Sequence, residues 1–234
     1  MFYFDILNGY KILRSDYINE KKFQGVNVFF TIKGNDNVIY SDFANRIIKP
    51  QQTHSDHIST VDKREEYPDT DGLILSETDT AICLKFADCT PIIFYDPKHN
   101  IAAISHAGWR GTAARIGVKT VAKMVMNFST KPENLIVLIG PAISMCCYEV
   151  SEEVKDSLLS TVKNTKDLYK EQNVDLKKIN ARQLEEIGVR NIDICQFCTS
   201  CNNDLFYSYR KENGTDKRHY AVFKLESIKE QKLK

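Results

Sequence analysis

No stretch of this 234-residue sequence is apolar for long enough to cross a membrane; the longest uninterrupted apolar run, Leu135-Ile136-Val137-Leu138-Ile139, is strand-sized. Glycine is scarce, and no group of glycines is spaced as G-x-G-x-x-G or as a Walker loop, so no dinucleotide or ATP site is indicated. A Gly-x-Ser-x-Gly elbow is also missing, which removes the usual serine-hydrolase reading. Neither sign of charge dominates: 32 basic and 31 acidic residues leave a formal net charge of +1, so no dedicated nucleic-acid or membrane surface is expected. The first residues, Met1-Phe2-Tyr3-Phe4-Asp5, lack the basic and apolar regions of an export signal. Seven cysteines, an odd number, argue against a disulfide scaffold, and the two observations together predict a reducing cytoplasm. No Gly-, Ser- or Pro-rich linker and no repeat divides the chain, so residues 1–234 read as a single domain.

Short apolar runs fill the first half. Val26 to Ile32, Gly72 to Leu75, Ala81 to Phe86, Pro91 to Tyr95 and Ile101 to Ser105 are broken by Asp, Asn, Gly or Pro, the pattern of buried strands. From Thr112 the period changes, and Ile116, Val118, Val121, Ala122, Val125 and Met126 fit one helical face ending at Phe128 to Pro132. Leu135 to Ile139 and His219 to Phe223 read as further strands. Ser151, followed by two acidic residues, predicts a helix start, and Asn180 to Ile187 a helix closed by Gly188. The charged tail after Leu225 is expected to fray. Strands first, then mixed strands and helices, predict an α+β fold: one layered domain with a mixed β-sheet and flanking helices.

Three stretches carry chemistry: Gln52-Thr53-His54, Ala87-Asp88-Cys89 and Ser105-His106-Ala107-Gly108-Trp109-Arg110-Gly111. Two imidazoles and a thiolate suit zinc, and copper is also attracted to them. Three protein ligands leave a fourth position open, the hallmark of a reactive rather than a structural site. The bland alternative is a core cysteine and two unrelated histidines, since the long spacing fits no short metal motif. Pro91 lacks a backbone donor, so the chain beside Cys89 is not expected to form an ordinary central ladder. Asp88 or Asp71 could accept the second N–H of a metal-bound histidine. Arg110 and Arg115 flank a glycine turn into a helix, a natural anion site. His57 and His99 read as surface residues and Cys83 as core.

Cys195, Cys198 and Cys201 form a C-x-x-C-x-x-C run without a fourth ligand nearby in sequence, His219 being the closest. Packing or a strained dithiol is preferred there over a structural metal. Cys146 and Cys147 are adjacent and cannot readily pair with each other.

With these residues in view, the chain resembles the bacterial multicopper polyphenol oxidase (laccase-domain) family, whose members are more often regarded as purine nucleoside phosphorylases with adenosine deaminase side activity. The resemblance rests on Gln52-Thr53-His54, Asp71-Gly72-Leu73-Ile74, Ala87-Asp88-Cys89-Thr90-Pro91 and His106-Ala107-Gly108-Trp109-Arg110-Gly111. It continues through Ile139-Gly140-Pro141-Ala142-Ile143, Cys147-Tyr148-Glu149-Val150 and Leu205-Phe206-Tyr207-Ser208-Tyr209-Arg210. It implies zinc on His54, Cys89 and His106, and a shallow cleft for a purine nucleoside and phosphate. Arg46 resembles the Arg of the family's Asn-Arg pair and, with Arg110, is expected to contact substrate or phosphate. Ser55 stands where the family usually has Gly, and the segment before Asn45-Arg46 is shorter than usual. The alternatives are a copper-dependent polyphenol oxidase, a peptidoglycan-precursor editing hydrolase and a zinc-stabilised interaction module. Oligomeric state is left open.

Overall fold

Branched and aromatic residues make strands of most of the first half, and a computed structural model describes residues 1–18, 22–40 and 43–227. In chain order the strands are β1 (Phe2–Leu7), β2 (Tyr10–Ser15), β3 (Val26–Thr31), β4 (Arg46–Ile48), β5 (Ile58–Thr60), β6 (Gly72–Leu75), β7 (Thr80–Phe86), β8 (Thr90–Asp96) and β9 (Ile101–Ala107). Helices α1 (Trp109–Ala113) and α2 (Ile116–Phe128) come next, then β10 (Ile136–Ile139), α3 (Glu152–Leu159), β11 (Tyr169–Lys170), β12 (Asn173–Val174), α4 (Leu176–Glu185), β13 (Asn191–Ile194) and β14 (His219–Leu225).

The expected α+β class holds, with twelve of the strands divided between two six-stranded sheets and β11 and β12 forming a separate pair. One has the order β1-β2-β3-β14-β7-β4, the other β13-β10-β8-β9-β6-β5. Phe30, Leu84 and Phe223 of the first sheet share one buried cluster with Leu73, Ile93 and Ile104 of the second. The far face of the second sheet packs Ile92, Phe94 and Ala103 against Ile116, Val121 and Met124 of α2 and Leu184 of α4. The first sheet's far face buries Phe29, Ala81 and Cys83 under Val38, Ile39 and Phe43. The second sheet is thus covered on both sides, which is why β8 and β9 are buried along their whole length and read as continuous apolar runs. Each such Leu, Ile or Phe contributes roughly 1.5–3 kcal/mol of burial.

Several expectations change. Pro91 lies inside β8, a central strand, but at its second residue. Its carbonyl accepts from Gly140 N (2.9 Å), and the β8–β10 ladder begins at Ile92, so the missing donor falls where no ladder bond is needed. The helix read from Thr112 is two helices, broken at Arg115, whose φ of 58° is left-handed. The face of α2 that is buried runs through Ile116, Gly117, Thr120, Val121 and Met124, while Met126 is 83% exposed. Thr120 donates to Ile116 O and bonds Ser105, so a polar residue satisfies its own hydroxyl and joins the core. Ser151 caps α3 as expected, accepting from Val154 N. Helix α4 starts earlier than predicted, at an Asp175 cap, and ends before Gly188 (φ 96°). Strands β1, β2, β4, β5, β11, β12 and β13 lie outside the runs read as strands from the sequence. Of the tail expected to fray, residues 228–234 lie outside the described residues.

His219 opens β14 and is fully buried between the rings of Phe86 and Phe206. Burial pushes its imidazole down to about 3, against a smaller opposing effect of the Pro141 carbonyl. The folded protein therefore refuses a proton that the unfolded chain accepts near pH 6.5, so this contribution is fully present above pH 6.5 and is lost as pH falls below it. Between pH 6.5 and 5 wild type should lose roughly 2 kcal/mol more stability than His219→Phe, at ~1.4 kcal/mol per pH unit. Urea unfolding of both proteins across that range measures it; parallel pH profiles would contradict it.

Candidate metal centre and substrate cleft

Asp71 is buried just before β6 and organises the first chemical loop. Its carboxylate accepts from the backbone amides of Thr53 (3.0 Å), His54 (3.2 Å) and Ser55 (2.8 Å), and from Ser55 Oγ (2.9 Å). Three successive amides converging on one anion account for the left-handed φ of 63° at His54. Ser55, where the resemblance expects glycine, adds a hydroxyl donor to this cluster. Gln52 ties the loop to the sheet: its side chain exchanges two hydrogen bonds with the Lys85 backbone, filling a free edge of β7.

Residues 87–89 carry the chain from β7 in the first sheet to β8 in the second. Asp88 turns this crossover with a φ of 81°. Its carboxylate accepts from Thr199 Oγ1 (2.6 Å) and Arg210 N (2.7 Å), so it braces the opposite wall and touches no histidine. The histidine partner is Asp71, whose Oδ1 lies 2.7 Å from His106 Nδ1. That contact leaves Nε2 of His106 as the free nitrogen. His106 occupies the end of β9, directly across the ladder from Pro91, which brings it beside Cys89.

The three groups meet. His54, Cys89 and His106 each offer one ligand atom, and these atoms lie within 4.8 Å of one another. The two imidazole rings cross edge-on at 4.9 Å. Gly108 makes room for them: a Cβ there would lie 3.0 Å from Cys89 Sγ and 3.4 Å from His54 Cδ2. Burial alone would raise the Cys89 thiol, but the adjacent His106 and the hydrogen bonds from His106 and His54 outweigh it and bring the thiol down to about 6. Burial would also raise Asp71; its bonds to His106, Thr53 and Ser55 hold it near 2. Thiolate and imidazoles are the donor set that zinc and copper take, and among the described residues no fourth His, Cys, Asp or Glu joins the group.

The centre forms the floor of a cleft of about 510 Å3, within the ordinary range for small-molecule sites. Gln52, Lys85, Ile143, Tyr148, Tyr209, Arg210 and Arg218 line its walls.

The sequence model of the family described as multi-copper polyphenol oxidoreductase laccase matches residues 32–226. The chain belongs to this laccase-like family. It is 34% identical over 173 residues to a Clostridium acetobutylicum protein named purine nucleoside phosphorylase, covering 73% of each chain. It is 40% identical over 162 residues to purine nucleoside phosphorylase YlmD of Geobacillus stearothermophilus, covering 66% of this chain and 59% of that one. The crystal structure of YlmD from the same organism superimposes with a TM-score of 0.84 at 29% identity, over 96% of this chain and 99% of that chain.

In this laccase-like chain the two arginines singled out from sequence are not on the cleft walls. Arg46 sits on β4, where its guanidinium is taken by Glu77 (3.1 Å) and by the carbonyls of Asp62 and Arg64 (both 2.6 Å). Arg110 is exposed and lies 4.4 Å from the ring of Trp109. Its charge still reaches Tyr148, which places it near the cleft. The cationic wall comes instead from Lys85, Arg210 and Arg218. Arg210 ends the Leu205-Phe206-Tyr207-Ser208-Tyr209-Arg210 motif, the one signal that could have found it. Arg210 packs 5.5 Å from the Tyr148 ring and donates to Cys147 O (3.3 Å) and Glu149 O (3.0 Å). Those bonds leave further N–H groups of its five for a ligand. His57 is at the surface beside Asp69, as expected; His99 is half-buried and bonded to buried Asp96 (2.7 Å).

Asp71→Asn should weaken metal retention about 10- to 100-fold, because it replaces the charged carboxylate, whose two oxygens accept from His106 and from the His54 loop, with a neutral amide that has a single acceptor oxygen. Competition with a chromogenic chelator measures this, and unchanged affinity would refute the role of Asp71.

Proposed function

We propose that this chain is a zinc-dependent purine nucleoside phosphorylase, converting adenosine, inosine or methylthioadenosine and phosphate to free base and pentose 1-phosphate. The observation that carries the reading is the open His54–Cys89–His106 donor set at the floor of a cleft walled by Lys85, Arg210 and Arg218. The names of the relatives support the same activity.

In this reading Arg210, Arg218 and Lys85 hold phosphate, as charged donors bind an oxyanion more strongly than neutral ones do. Arg110 adds positive charge at the rim. Tyr209, 57% exposed at the mouth, offers a flat face for the purine. A phosphate oxygen forms the bond to C1′ as the C1′–nitrogen bond breaks. The electron pair departs with the base, which takes up a proton. Positive charge develops on the sugar in the transition state, as in glycoside cleavage. A zinc ion held by His54, Cys89 and His106 would supply a fixed positive charge and Lewis acidity beside the reacting atoms. The chain's own share is orientation: Asp71 fixes His106 and the His54 loop, and Asp88 fixes the backbone of Arg210.

Adenosine deamination is a side activity of the same site, with inosine and ammonia appearing without phosphate. Product analysis of metal-loaded protein with adenosine and phosphate tests both reactions. Adenine and ribose 1-phosphate in equal amounts support phosphorolysis; no base release from metal-loaded protein would overturn it. The oxidase reading is favoured by the family's description, and copper could use the same donors. Of the five histidines, His57, His99 and His219 lie elsewhere, so this cleft has donors for one ion rather than a multicopper cluster.

A further inference from the structure

A second group of metal-ligating side chains lies outside the cleft. The sequence separates Cys146-Cys147 from the Cys198-x-x-Cys201 pair by about fifty residues, yet the four sulfur atoms lie within 4.8 Å of one another. Cys201 Sγ is 3.5 Å from Cys146 Sγ and 3.4 Å from Cys147 Sγ. A zinc ion with four sulfurs at 2.3 Å spaces them about 3.8 Å apart, so small side-chain adjustments suffice. Cys195, the first member of the run read from sequence, is not part of the group; it is buried in the core between the sheets. The expectation of simple packing or a strained dithiol therefore changes, because two further sulfurs, of Cys146 and Cys147, come from a distant loop, and His219 is not among the donors.

We propose that Cys146, Cys147, Cys198 and Cys201 form a second, structural zinc site, closed by four thiolates and distinct from the open site in the cleft. Three observations support it. The first is the convergence of all four donors. The second is a set of backbone amides aimed at sulfur: Ser144 N donates to Cys198 Sγ at 3.4 Å. The backbone amides of Cys201 and Ser200 also donate to that sulfur. Amides pointing at a sulfur favour the thiolate that a metal requires. The third is charge. A zinc tetrathiolate carries a net charge of about −2. The buried ammonium of Lys177 lies close enough to interact with Cys198 and Cys146, anchored on the carbonyls of Cys195 (2.7 Å) and Phe197 (3.1 Å). Cys146, Cys147 and Cys201 reach solvent, so an ion can enter without the fold opening.

The site would join two cleft walls. The segment after Cys147 carries Tyr148, and the segment after Cys201 carries Tyr209 and Arg210. The contacts between them include Thr199 N to Ala142 O (3.1 Å) and the Arg210 bonds to the Cys147 and Glu149 carbonyls. A closed metal site contributes folding free energy directly.

The test is metal stoichiometry of the full chain, purified under reducing conditions, loaded with zinc and dialysed free of excess. Wild type should hold two equivalents, His106→Ala one, and the Cys198→Ser/Cys201→Ser double variant one. Cobalt(II) bound to His106→Ala should show the strong sulfur-to-metal charge-transfer absorption of four thiolates. If His106→Ala does not fold, His54→Ala serves in its place. A single equivalent in wild type, lost with His106, would overturn the proposal. So would a freshly isolated protein in which intact mass and thiol titration show these cysteines paired as disulfides. None of these readouts depends on the reaction in the cleft, so failure of the phosphorylase reading leaves this proposal standing.

Discussion

Cys89→Ala should lower nucleoside turnover by about 1,000-fold or more, because a catalytic ion contributes several kcal/mol at the reacting centre and each ~1.4 kcal/mol is tenfold in rate. The thiolate is the only anionic donor among the three cleft ligands, and two neutral imidazoles alone hold zinc weakly. His106→Ala should match it, since Asp71 orients that ring alone among the three donors. Metal content should fall by one equivalent in each variant. The fold is expected to survive, because Cys89 lies on a crossover link rather than in a ladder. Circular dichroism and thermal unfolding check that point, and His54→Ala in the exposed loop gives an independent measure. Full turnover in a well-folded variant lacking the metal would contradict the assignment.

Arg210→Ala should raise the KM for phosphate about 10- to 100-fold while changing nucleoside affinity far less. Charged hydrogen bonds to an oxyanion are worth ~1.5–3 kcal/mol, which sets that range. Arg210→Lys should recover part of the loss, since it keeps the charge and loses the fork. Arg210 also braces the Cys147 and Glu149 carbonyls, so steady-state kinetics must be read beside a melting curve. A uniform fall in turnover with an unchanged phosphate KM would show that Arg210 shapes the wall without binding phosphate.

The parts of this site legible in sequence are those where side-chain chemistry is unusual. Gln52-Thr53-His54, Cys89 and His106 stood out because donors sat beside glycine, proline or polar turns, and the structure brings all three donors together. What escaped was pairing over distance. Asp71 and Asp88 are chemically equivalent in the sequence, yet the antiparallel β6–β9 pairing brings one to His106 while the crossover turns the other toward Thr199. Arg46 was a reasonable cation to choose, but a nearby Glu77 and two carbonyls already hold it. Arg210 stands in the sequence only as the end of a family motif; its place on the cleft wall depends on the C-terminal loop, whose Arg210 N–H donates to Asp88 of the crossover. The same loop closure brings Cys198 and Cys201 of the C-x-x-C-x-x-C run to Cys146 and Cys147, about fifty residues away in sequence. In α2 the helical period was visible, but its phase was not: Thr120 satisfies itself on Ile116 O and takes the buried side that Met126 seemed to claim.

Anomalous diffraction at the zinc edge, from crystals of the zinc-loaded protein soaked with phosphate and inosine, tests the central claim most directly. The account predicts an ion bonded to Cys89 Sγ, to His106 Nε2 and to one His54 nitrogen, with its fourth partner supplied by solvent or substrate and phosphate lying against Arg210. A fourth protein ligand closing this cleft ion, or no ion between these three side chains, would contradict it.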